Sequence, residues 1–129
     1  MKQSPSNPGD PPSASSPGEN PCFSGGPNLA ALNVLADGGV SYLLPYAQFL
    51  FAVRGSNPAL EKEPDAPPEK LLIRFARADV AVLGSGLKRL EQDIQKYELR
   101  FVKSADRRLA ATLNTHIAAV TVTLTNKNV

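Results

Sequence analysis

Proline divides this chain. Seven of its 12 prolines fall within the first 27 residues, and none follows Pro68. Residues 1–27 also carry six serines and four glycines, against four hydrophobic side chains (Met1, Ala14, Cys22 and Phe23). A segment of that make-up buries too little apolar surface to offset the entropy of ordering it. It reads as a disordered leader. Residues 28–129 hold 50 hydrophobic side chains in 102 positions, an ordinary density for a globular core. A single small domain over residues 28–126 follows from that length.

The sequence excludes several classes. No apolar run approaches the ~18 residues a membrane-spanning helix needs. The longest, Tyr42 to Val53, is interrupted by Pro45 and Gln48. The start Met1-Lys2-Gln3-Ser4-Pro5 has no apolar segment of a secretory leader. One cysteine cannot staple the fold. A soluble protein of the cytoplasm, without membrane contact, is the expectation.

Hydrophobic period gives the fold class. Two apolar runs, Leu32–Ala36 and Val40–Leu44, flank Asp37-Gly38-Gly39, a hairpin signal. The competing reading is a short helix over Leu29–Ala36, capped by Asn28. Tyr46 to Val53 continues as a strand, with Phe49, Phe51 and Val53 on one face and Gln48 on the other. Residues 55–69, with four prolines and four acids, read as an exposed loop. Lys70–Leu83 forms a second hairpin that reverses near Arg77-Ala78-Asp79. Leu87, Leu90, Ile94 and Tyr97 make one apolar stripe, which predicts the main helix over 87–97. Leu99–Lys103 is a short strand, Ala105–Leu113 is helix-prone, and Ala118, Val120, Val122 and Leu124 alternate with polar neighbours in a last strand. These elements predict an α+β fold. They form a mostly antiparallel, curled sheet or partly open barrel of about five to seven strands, with one helix.

Catalytic readings find little support. His116 is the sole histidine, and Cys22, the sole thiol, lies in the leader. Glu61, Glu63 and Asp65 sit in the proline-rich loop, while Glu91 and Asp93 point in different directions on the helix. Neither group sets two carboxyls at a fixed separation for acid–base work. No cofactor or metal is implied.

Two binding features remain. Gly84-Ser85-Gly86 leads into the helix, whose free N–H groups can receive an anion, although neither a phosphate-loop nor a dinucleotide fingerprint is present. Residues 69–129 carry a net charge of +5. Arg74, Arg77, Arg100, Lys103, Arg107 and Arg108 would form one polyanion-binding surface if their strands were neighbours. The leading expectation is a small non-catalytic binding or protein–protein interaction module, joining a protein partner or a second copy through a sheet edge. The alternative is a weak nucleic-acid-binding protein using the basic half.

Overall fold

The computed structural model describes residues 20–125. The expected leader therefore lies outside the described residues up to position 19, as does residue 126. Among these residues, eight strands form two four-stranded sheets with one α-helix, the mostly antiparallel α+β fold that was expected. The strands are β1 (Phe23–Gly25), β2 (Ala31–Leu35), β3 (Ser41–Pro45), β4 (Phe49–Ser56), β5 (Glu69–Phe75), β6 (Ala78–Ser85), β7 (Leu99–Lys103) and β8 (His116–Leu124), with helix α1 at Lys88–Gln95. The first sheet runs β1-β7-β2-β3 and the second β4-β5-β6-β8. Only β2 and β7 pair in parallel; every other strand pair is antiparallel. The sheets do not close into a barrel, and the strand count exceeds the five to seven expected.

One core serves both sheets. Leu32, Val34, Leu99 and Val102 of the first pack in the same cluster as Leu71, Ile73, Val80 and Val82 of the second. Alternation is strict on β5 and β6, where every second residue from Leu71 to Phe75 and from Ala78 to Val82 is buried. The stripe Leu87, Leu90 and Ile94 closes one side of this core. The hairpin reading of residues 31–45 holds over the helical one: Gly38 and Gly39 take φ of 93° and 87°, as the reversal requires.

Several expectations are corrected. The sequence assigned Cys22 and Phe23 to the leader, yet Cys22 is fully buried and Phe23 opens β1. Pro21-Cys22-Phe23 is short enough to be masked by its Pro/Ser/Gly surroundings, but β7 offers it a ladder. Helix α1 ends at Gln95, two residues before the expected end, because Tyr97 turns to φ 59° and the backbone leaves the helical region. Residues 105–113 hold only a short 3-10 turn, Arg107–Leu109, capped by Asp106. The 55–69 loop is shorter than expected, since β4 runs to Ser56 and β5 starts at Glu69. Asn57 clamps its base: the amide side chain donates to the Pro67 carbonyl at 2.8 Å, and the backbone N–H to that of Pro68 at 3.0 Å.

Candidate functional site

The outer edge of the second sheet begins with an anchor. Pro45 ends β3, and a 3-10 turn over Tyr46–Gln48 carries the chain from one sheet to the other. Tyr46 fixes that crossing. Its ring is stacked on Tyr97 at 4.6 Å, and its hydroxyl donates to the buried Leu99 carbonyl at 2.6 Å. Burial pushes its phenol well above the ordinary value, which favours the protonated, donating form.

Beyond the turn, the register slips. Phe49 pairs with Phe75, but Phe51 pairs with Arg74, so Leu50 is a bulged residue. That extra residue overturns the expected shared face of Phe49, Phe51 and Val53. Phe49 turns inward against Phe75 and Tyr97. Leu50, Phe51 and Val53 are left 57%, 44% and 53% exposed. The cations beside them are already engaged. Arg74 sits 5.5 Å over the Phe51 ring and forms a two-pronged ion pair with Asp79 at 2.8 and 2.9 Å. Arg54, the one charged residue of β4, reaches Glu91 at 2.9 Å, and hydrogen bonding to that carboxylate holds its guanidinium above the ordinary value.

Ladder parity determines which backbone groups of β4 face out. Asn57 N–H bonds to Pro68 O, which makes Asn57 a hydrogen-bonded partner of β5. Directions alternate along an antiparallel strand. Val53 and Gly55 therefore face β5, while the N–H and C=O groups of Ala52, Arg54 and Ser56 point away from it. The other three edges are short or partly covered among the described residues. β1 has three residues, and β3 has five and ends in proline. The edge of β8 is covered from Ile117 to Val120, since Asp37 N–H bonds to Val120 O and Ala105 N–H to Ile117 O.

The six cations do not converge. Arg74 and Arg77 belong to the β5–β6 hairpin, whereas Arg100 and Lys103 lie on β7 in the other sheet. Arg107 is at the far end of β6 from Arg77, seven residue steps or about 23 Å along the strand. Arg108 pairs with Asp106 at 3.0 Å and holds that carboxyl below the usual range. The polyanion surface required β5 and β7 to be neighbours, and the strand order separates them.

The Gly84-Ser85-Gly86 turn is occupied by the protein itself. The Glu69 carboxylate accepts from the N–H of Leu87 at 3.0 Å and of Gly86 at 3.3 Å. An acid at the helix start offsets the unfavourable position of Lys88 and Arg89. The glycines serve backbone crossing: a Cβ at Gly84 would collide with the His116 carbonyl, and one at Gly86 with that of Asn114. Gly86 also takes a φ of 64°. This reassigns the expected anion turn to a self-capped connection.

A cleft of about 770 Å³ adjoins that turn, walled by the proline-rich loop, Gly84, Ser85, Arg107 and His116. His116, the first residue of β8, is 3% exposed. Its Nε2 lies 3.2 and 3.1 Å from the carbonyl oxygens of Ala105 and Asp106, which can only accept, so Nε2 carries a hydrogen. The Cys22 thiol, raised by burial, accepts from Ile117 N–H at 3.3 Å. Among the described residues, no three His, Cys, Asp or Glu side chains converge as metal ligands. No helix among the described residues is long and apolar enough to cross a membrane.

Sequence reasoning missed the exposed edge of β4 and the role of Glu69. The edge depended on a bulge that period counting does not register. Glu69 acts 17 residues from the turn whose N–H groups donate to it, and only strand pairing brings it there. No family model, curated protein or solved structure matches this chain.

Proposed function

We propose that this chain is a non-catalytic interaction module that engages another polypeptide by strand addition at β4. One observation carries the reading. β4 combines outward-facing backbone groups at Ala52, Arg54 and Ser56 with exposed Leu50, Phe51 and Val53, and its flanking cations are neutralised within the chain. Main-chain pairing supplies affinity in this mode, and alternate side chains supply selectivity. The groups that could do chemistry support the non-catalytic part. Cys22 is buried, His116 is held by backbone carbonyls, and Glu69 caps a helix.

The test is binding of extended peptides from a displayed library to the wild-type chain, to Val53→Lys and to Leu109→Lys, an exposed apolar control away from β4. Strand addition requires that Val53→Lys loses binding and Leu109→Lys keeps it. Equal binding by all three, or amide shifts confined to residues outside β4, contradicts it.

A further inference from the structure

We infer that the polypeptide added at β4 is a second copy of this chain, paired antiparallel about Ala52. The inference rests on the proposed strand addition and names its partner. The exposed stripe of β4 is self-complementary. Phe51 and Val53 lie two residues apart on one face, both half-exposed, with Ala52 between them. Antiparallel pairing centred on Ala52 sets Phe51 of each copy opposite Val53 of the other. Ala52 is also one of the residues whose N–H and C=O face outward, so the central pair closes with two backbone bonds. Phe51 and Val53 then form a non-hydrogen-bonded pair, where side chains approach most closely.

Side chains select this register over its neighbour. Centring on Arg54 would crowd the two Arg54–Glu91 ion pairs together and set Val53 across from Gly55, which has no side chain to meet it. Centring on Ala52 sets Arg54 across from Leu50 and leaves the two arginines four residues apart, about 13 Å, beyond the screening length of physiological salt.

The sheet behind the edge completes the match. Val53 pairs with Leu72, which pairs with Ala81, an apolar row crossing three strands. Phe51 begins the row Phe51, Arg74, Asp79, held by the cation–π contact and the ion pair. Across the two-fold axis, the apolar row of one copy meets the aromatic end of the other. An isologous contact of this kind closes on itself as a pair. It also covers the exposed edge of β4, the hazard that edge strands otherwise present.

Two measurements on the full chain test this. Sedimentation equilibrium from about 1 μM to about 1 mM should show the mass rising from one copy toward two. Val53→Lys should weaken the association at least about 30-fold, because the symmetry counts each substitution twice. The second measurement reads the register. Phe51→Cys and Val53→Cys chains, mixed and oxidised, should form a disulfide-linked pair, since facing residues there have Cα atoms about 4.5 Å apart. Either variant oxidised alone should remain uncrosslinked. A strictly monomeric wild type overturns the self-pairing, and so does cross-linking by each variant alone. A monomer that still takes up extended peptides in a Val53-dependent way leaves strand addition standing. A monomer that takes up none overturns both.

Discussion

Glu69→Ala should uncover the anion site that the chain fills with its own carboxylate. Glu69 accepts the N–H groups of Gly86 and Leu87 at 3.3 and 3.0 Å, at the start of α1. An end cap contributes about 1 kcal/mol, and a negative charge at a helix start adds about 0.3–1 kcal/mol. The ion pair with Arg54, at 3.9 Å between partly exposed groups, adds a few tenths of a kcal/mol at most. Glu69→Ala should therefore cost about 1.5–2 kcal/mol, lowering Tm by about 6–12 °C. Glu69→Gln keeps an accepting oxygen and should lose about half as much. The freed N–H groups, with Lys88 and Arg89 in the first turn, should then take inorganic phosphate. At about 50 mM phosphate and a Kd of about 10 mM, mass action returns about 1 kcal/mol to the variant. Urea unfolding followed by far-ultraviolet circular dichroism, with and without phosphate, measures both effects. The reasoning fails if Glu69→Ala is as stable as wild type, or if phosphate stabilises the two chains equally.

Four further outcomes follow from Tyr46, Gly86 and Cys22. Tyr46→Phe leaves the Leu99 carbonyl unsatisfied and should cost about 1–2 kcal/mol in denaturant unfolding; a change within error refutes the role of that bond. Because burial raises the Tyr46 phenol above its ordinary value near 10, its contribution is fully present below that pH and is lost as pH rises further. The stability of wild type should thus fall more steeply than that of Tyr46→Phe above about pH 10, and parallel profiles would contradict this. Gly86→Ala meets both a left-handed φ and the Asn114 carbonyl, so it should cost about 3 kcal/mol or more, and a mild effect on thermal melting would contradict the backbone crossing. The buried Cys22 thiol should react with an aromatic disulfide reagent at least about 1,000-fold more slowly in the native chain than in urea; comparable rates would place it outside the core.

What was legible in the sequence was local. Asp37-Gly38-Gly39 announced the first hairpin, because glycine there needs positive φ within a few residues of its own signal. The alternation from Leu71 to Val82 announced two half-buried strands. The same logic failed one residue at a time. Leu50 adds a step that period counting cannot see, and it takes Phe51 and Val53 off the face they were expected to share with Phe49 and into an exposed stripe. Non-local pairing was hidden altogether. Arg74 and Arg100 both alternate with apolar residues, but nothing near either of them says that β5 and β7 lie in different sheets. Glu69 resembled another acid of the proline-rich loop until β5 and β6 paired and brought its carboxylate to α1.

The central claim is that β4 presents an open edge on which another strand is laid. Amide hydrogen exchange resolved at single residues tests it most directly, because the N–H groups of Ala52, Arg54 and Ser56 point away from β5 while those of Val53 and Gly55 point toward it. In dilute protein, Ala52 and Arg54 should exchange at rates near those of an unprotected chain, with Val53 and Gly55 protected. As concentration rises, protection at Ala52 and Arg54 should grow while that of Val53 hardly changes. Protection of Ala52 and Arg54 that is already complete in dilute monomer, or that stays absent at every concentration and with every peptide, would contradict the account.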